Sequence, residues 1–246
     1  MLNPALDVTR LSQKFRHRRR IQIHDVLLPE AAERLYQCLQ HEVPWGVAYI
    51  DGEQSVILTA DKVAAFTPAD WLSLNERVQT RALEKFQFIY NSYMMVTAYK
   101  EKRDPGLVLH EMLEFINASP FLELMRNVTG ISNIIKADAQ ATCYIPGHFL
   151  KRHNDHVADQ YREIAYVINL TKGWQADWGG LLQFMDDDGR VTDTFFPAFN
   201  SLSLFQVPMW HHVSYVSPFA TRARYAITGW GMSRPPQTNP ISQSLG

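Results

Sequence analysis

Near residue 133 the sequence stops repeating every three to four positions and begins to alternate. Ile135, Ala137, Ala139, Ala141 and Cys143 alternate with Lys136, Asp138, Gln140, Thr142 and Tyr144, which is the two-residue period of a half-buried strand. β-rich runs follow at Ile164–Leu170, Leu181–Met185, Phe195–Phe205, His211–Val216 and Arg224–Trp230. Gly179-Gly180 and Asp186-Asp187-Asp188-Gly189 supply turn chemistry between them. Many short strands with no helices between them argue against a parallel sheet, whose strands need crossover connections, and for a sandwich or barrel.

The first half reads differently. Pro29 opens the helical run LLPEAAERLYQCLQ, and Thr67-Pro68-Ala69-Asp70 reads as an N-cap with proline at the first helical position. Trp71, Leu74, Val78 and Ala82 then form one apolar stripe at helical spacing. A third helix is expected from near Leu107, and a fourth after Ser119-Pro120, stopping at Gly130. Gly46–Ile50 and Met94–Ala98 read as short β-like runs. No repeat, low-complexity tract or linker divides the 246 residues. The expectation is one domain over 1–246: a helix-rich support region over 1–132, a β core over 133–232 and a tail over 233–246.

Composition narrows the function classes. A formal net charge of −1 gives no overall basic field for a nucleic acid, so such a partner is not expected. The one strongly basic cluster, Arg16 to Arg20, could meet phosphates or an acidic partner, although a short charge run is usually a solvated face. The N-terminus lacks the apolar stretch of a signal peptide, and no apolar run is long enough to cross a bilayer. With Cys38 and Cys143 as the only cysteines, a reducing, cytoplasmic location is the expectation.

Chemistry concentrates in a few positions. In Lys151-Arg152-His153-Asn154-Asp155-His156, His153 and Asp155 stand two apart, so on a strand both would point to one face. Trp210-His211-His212-Val213 offers a third ligand from another strand. Two histidines and one carboxylate on one face of an octahedron leave three positions open, which suits non-haem Fe(II). His211 and His212 have opposite parity, so only one can enter such a site. Arg222 and Arg224 share parity, and either could bring a planar cation to pair bidentately with a carboxylate. His148 and His156 are alternative ligands that fit less well, the first in a Pro-Gly turn and the second of the wrong parity. Met94, Met95, Trp174 and Trp178 could line a substrate mouth, but such residues are more often core.

Taken jointly, these stretches resemble the Fe(II)- and 2-oxoglutarate-dependent dioxygenases of the prolyl hydroxylase-like branch. The resemblance runs from Tyr144-Ile145-Pro146-Gly147-His148-Phe149-Leu150 into His153-Asn154-Asp155. It continues through Gly179-Gly180, Phe196-Pro197-Ala198, Asn200-Ser201-Leu202 and Trp210-His211-His212-Val213 to Arg224–Trp230, spanning about residues 135–232. It implies a double-stranded β-helix, or jelly roll, buttressed by the N-terminal α-helices. His153, Asp155 and His211 are then the iron ligands, Arg224 clamps the far carboxylate of 2-oxoglutarate, and Tyr144 lies near that co-substrate. It also implies O2 as a reactant, ascorbate as a supporting reductant, and hydroxylation of a prolyl residue or proline-like molecule with release of succinate and CO2. One departure is visible: many relatives carry serine two residues after the arginine, where this chain has Ala226, and Thr142 or Tyr144 would have to replace that hydroxyl. The competing readings are a non-enzymatic metal-binding regulatory jelly roll, and the same chemistry applied to another small molecule or a nucleic acid.

Overall fold

The computed structural model describes residues 1–234, so the expected tail lies almost wholly outside the described residues. Among these, seven helices precede or flank a single 13-stranded sheet in which every pairing is antiparallel. One half of the sheet runs β1 (Arg20–His24), β11 (Ser201–Gln206), β8 (Arg162–Asn169), β13 (Arg224–Met232), β6 (Gln140–Tyr144). The other runs β7 (Phe149–His153), β12 (His211–Val213), β9 (Leu182–Met185), β10 (Val191–Phe195). β4 (Phe88–Tyr93) joins them by pairing through Asn91–Tyr93 with β6 and through Phe88-Ile89 with β7. The strip therefore curls into a nearly closed, jelly-roll-like barrel. A hairpin of β2 (Gly46–Asp51) and β3 (Gln54–Leu58) extends it from β4, and β5 (Lys136–Ala137) pairs with the end of β13.

Alternation along β8 divides inside from outside. Ile164, Tyr166 and Ile168 join the large core beneath the helices, whereas Ala165 and Val167 face the barrel interior. α6 (Val108–Asn117) and α7 (Ser119–Thr129) cover the outer face, with Phe121 packing edge-on against Tyr166 at 5.7 Å between centroids. Gly130 closes α7 in the left-handed conformation (φ 74°) that glycine adopts without strain. α4 (Pro68–Glu84) starts with the expected cap, elaborated into a reciprocal box: the Thr67 hydroxyl accepts from the Asp70 N–H, and the Asp70 carboxylate accepts from the Thr67 N–H. Its stripe of Trp71, Leu74, Val78 and Ala82 packs against Val47, Tyr49, Ile89 and Phe149.

Two expectations are corrected, and two further features were not anticipated. Met94–Ala98 is not β-like: Met95–Lys100 forms the short helix α5, because the apolar residues there dock by helical rather than alternate spacing. The run Phe195–Phe205 is split by a turn at residues 196–200, where Asn200 adopts φ 55° and its buried amide exchanges two hydrogen bonds with the Leu27 backbone. Helix α1 (Val8–Arg18) was hidden by its charge; the Asp7 carboxylate caps it, and only Phe15 is buried. Besides its helices, the helix-rich stretch 1–132 contributes β1 to β4 to the same sheet, with the β-like run at Gly46–Ile50 falling in β2. Part of the basic cluster is structural, as Arg18 and Arg20 both pair with Asp193. No helix among the described residues is long and apolar enough to cross a membrane.

Candidate active site

β7 and β12 are neighbours, with His153 directly opposite His211 in the register. This pairing, rather than spacing within one strand, brings the two imidazoles to a centroid separation of 4.1 Å. Strand parity does not place Asp155. β7 ends at His153, and Asp155 reaches the cluster by turning back with a left-handed backbone (φ 61°), a conformation that aspartate tolerates better than most residues. Its Oδ1 then lies 3.2 Å from His153 Nε2 and its Oδ2 3.5 Å from His211 Nε2. One ligand atom from each residue lies within 4.8 Å of the others, and this is the one such group of three among the described residues.

The hydrogen bonds around the cluster say what it can hold. His153 Nδ1 lies 2.9 Å from the Lys151 carbonyl and His211 Nδ1 lies 2.8 Å from the Met209 carbonyl. A carbonyl only accepts, so each Nδ1 carries a proton and Nε2 is the ring atom turned towards the carboxylate. Burial pushes the His211 imidazole down to about 4, so it is neutral at physiological pH. Burial would raise the Asp155 carboxyl, but the two imidazoles beside it outweigh this and hold it at about 2. Two imidazole Nε2 atoms and a carboxylate therefore converge on one point, where a shared cation would be held by all three. The donor set and its outer hydrogen bonds fit a divalent metal.

Deeper in the barrel stands Arg224, the first residue of β13 and 3% exposed. Its guanidinium makes one long hydrogen bond, 3.4 Å to Asn169 Oδ1, and its buried Nε has no partner. No carboxylate among the described residues pairs with it, and burial lowers its proton affinity. An uncompensated buried cation is costly unless an anion completes it. Tyr144, opposite Arg224 in the register, presents its ring 5.1 Å from the guanidinium carbon. Arg222 is exposed ahead of the strand, and His156 is exposed too. His212 points the other way to Gln183, and His148 is buried in its turn, away from the cluster. Thr142 sits opposite Ala226, with its hydroxyl donating to the Ala226 carbonyl at 3.3 Å.

His153, Asp155, His211, Arg224 and Tyr144 all line one cavity of about 430 Å³. Sequence reasoning missed much of its wall. Phe86, Phe88, Tyr90 and Tyr144 form a ladder of rings 5.2 to 5.9 Å apart, running from the mouth to the arginine. On another side Arg162 lies flat on Trp230 at 3.5 Å and donates to the Asp155 carbonyl. The first three aromatics precede the β-rich half, and only the pairing of β4 with β6 and β7 brings them here. Met94, Met95, Trp174 and Trp178 do not line this cavity.

Comparison with known proteins agrees with this geometry. Residues 139–232 match the family model described as the 2OG-Fe(II) oxygenase superfamily, and the match spans β6 through β13. The likeness to that superfamily thus lies in the β-rich part of the chain that carries the His–Asp–His cluster and Arg224. The chain is 27% identical to the mouse prolyl 3-hydroxylase OGFOD1 over 164 residues, which are 62% of this chain but 29% of that protein. The fold resembles a Pseudomonas putida prolyl-4-hydroxylase (TM-score 0.54, 17% identity, covering 93% of this chain and 100% of the other). It also resembles a Trichoplax adhaerens prolyl hydroxylase solved with a hypoxia inducible factor oxygen degradation domain peptide fragment (TM-score 0.61, 16% identity, 92% and 89% covered). Fe(II), 2-oxoglutarate and O2 are the reactants this family implies.

Two residues outside the cavity give testable consequences. Lys151 Nζ donates to the Ala82 and Lys85 carbonyls at 2.6 and 2.7 Å, tying the C-terminus of α4 to the strand that carries His153. Lys151→Met should lower stability by about 2 kcal/mol, read from urea unfolding; a loss under ~0.5 kcal/mol would show that the tether is not used. Burial pushes the His148 imidazole from 6.5 down to about 4, only partly offset by a backbone hydrogen bond to Cys143. The folded state thus refuses a proton that the unfolded chain accepts between those values. Its contribution is complete above pH 6.5 and is lost as pH falls towards 4, about 3 kcal/mol at most. His148→Gln should flatten the fall in unfolding midpoint between pH 7 and pH 4.5. An unchanged slope would assign the acid sensitivity elsewhere.

Proposed function

We propose that this chain is a 2-oxoglutarate-dependent dioxygenase that hydroxylates a prolyl residue within a polypeptide. The observation that carries the reading is the buried, unpaired Arg224 guanidinium sharing one cavity with three lone-pair donors. A five-carbon diacid is the ligand that satisfies both ends: one carboxylate pairs with Arg224, and the oxo-acid end faces His153, Asp155 and His211. Bound at those three groups, Fe(II) supplies the chemistry by which 2-oxoglutarate and O2 become succinate and CO2 while a substrate C–H becomes C–OH.

The chain's own part is positioning. The Lys151 and Met209 carbonyls hold both imidazoles in the tautomer that frees Nε2. The Phe88–Tyr90–Tyr144 stack keeps water from the arginine end, where a charge-assisted pair is strongest. Burial keeps the Tyr144 phenol protonated and therefore a donor. A polypeptide substrate is favoured over a free polar metabolite by the rim: Ile57, Phe86 and Val157 are exposed apolar side chains around the cavity and its neighbour. The related mouse protein is named a prolyl 3-hydroxylase, and the Trichoplax enzyme was solved with a peptide. An unpaired buried arginine also speaks against a purely metal-binding regulatory role, which would not need it. The test is succinate release with pools of proline-containing peptides and, separately, free proline and its analogues. Turnover of peptides alone supports the reading, and turnover of free proline alone overturns the polypeptide part.

A further inference from the structure

A second cavity of about 400 Å³ adjoins the first, sharing Ser55, Phe88, Tyr90, Gln140, Thr228 and Trp230 with it. Its own walls are Ala48 and Ile57 of the β2–β3 hairpin, Met94, Val96 and Thr97 at the start of α5, and Asp138 with Ala139 between β5 and β6. The lining is mostly apolar, and Asp138 is the one ionisable group in it besides the Tyr90 phenol, which burial holds neutral (pushed up to about 12). Asp138 breaks the alternation of residues 135–144 into two strands. Its Oδ1 accepts the Trp230 N–H at 2.7 Å, and its carbonyl accepts the Tyr166 hydroxyl at 2.6 Å. Oδ2 takes no hydrogen bond from any described residue. Arg162 is close enough to act on Asp138 electrostatically, but its guanidinium is committed to the Trp230 face and to the Asp155 carbonyl and makes no ion pair with Asp138.

A half-buried carboxylate with a spare oxygen, lining an apolar slot that adjoins the metal cavity, is complementary to one kind of group: a cation on an aliphatic stem. We propose that this side cavity is a subsite for a lysine-like side chain of the substrate, with Asp138 Oδ2 accepting from the ammonium and Ile57, Met94 and Val96 packing on the methylenes. The role assigned to the cavity rests on the polypeptide reading above, because the subsite would hold a residue flanking the one that is hydroxylated. It sets which sequences are bound rather than the reaction itself.

The test uses binding, so that it is separable from turnover. n-Pentylammonium and n-pentanol, equal in stem and different in charge, are titrated into the full chain by saturation-transfer NMR with Zn(II) and 2-oxoglutarate present to fill the neighbouring cavity. The ammonium should bind roughly tenfold more tightly than the alcohol. Asp138→Asn keeps an oxygen for the Trp230 N–H and should bring that ratio below about twofold. Val96→Phe narrows the slot without touching the carboxylate and should weaken both probes while preserving the ratio. Equal binding of the two probes to the wild type, a ratio unchanged in Asp138→Asn, or undiminished binding in Val96→Phe would each overturn the proposal. If no peptide releases succinate but the probes behave as expected, the reading of the reaction fails and the cation subsite stands.

Discussion

His211→Ala is expected to abolish stoichiometric Fe(II) binding, whereas His212→Ala should leave it within about twofold of wild type. The two residues are adjacent and chemically identical, so the contrast tests position alone. His211 is 4% exposed, its Nδ1–H is spent on the Met209 carbonyl, and its Nε2 faces Asp155. His212 lies on the other face of β12, with its Nε2 2.8 Å from Gln183 Oε1. Losing one of the three donors of the cluster removes a bond that His212, turned to the other face of the strand, cannot replace, and the loss should exceed the roughly 10- to 100-fold typical of disturbing a ligand's outer hydrogen bond. An anaerobic titration with Fe(II), or with Co(II) as a spectroscopic substitute, reads it directly. Retained binding in His211→Ala together with loss in His212→Ala would reassign the ligand.

Arg224→Ala should weaken 2-oxoglutarate binding by about 10- to 150-fold, the equivalent of ~1.5 to 3 kcal/mol for a charge-assisted pair in a water-poor site. Arg224→Lys keeps the charge and loses the planar fork, so its loss should be smaller. Both variants should still bind iron, because Arg224 is not one of the three donors of the His–Asp–His cluster. Arg222→Ala is the internal control and should be mild, its side chain being exposed ahead of the strand. The charge-transfer absorbance of the anaerobic Fe(II) protein on addition of 2-oxoglutarate measures all three. An unchanged affinity in Arg224→Ala, or a large loss in Arg222→Ala alone, would move the clamp elsewhere. Removing Arg224 also removes an uncompensated buried cation, so the ligand-free Arg224→Ala protein is not expected to be less stable than wild type.

Both experiments turn on choices that periodicity left open. Parity could say that only one of His211 and His212 enters the barrel, but not which, because which face of a three-residue strand points inwards depends on its neighbours. Arg222 and Arg224 share parity, and they are told apart only by where β13 begins. His153 and Asp155 reach one site for a reason the spacing did not contain: β7 stops at His153, and a left-handed residue, not strand alternation, carries the carboxylate back. The spacing of two was correct in its result and wrong in its mechanism.

The alternating runs after residue 133 were enough to exclude a parallel sheet and to require an antiparallel barrel or sandwich, since a period of two buries one face of each strand whatever the strand pairs with. Capping residues were likewise enough for α4 and for the end of α7, because a cap is satisfied within a few residues of chain. Chain-local physics stops there. That β4 would bridge the two halves of the barrel, that its aromatics would wall the cavity, that Arg162 would lie on Trp230, and that Asp138 would keep one oxygen free are all consequences of pairing between residues far apart in sequence. Such pairing is selected by the packing of the whole barrel, and no window along the chain contains it.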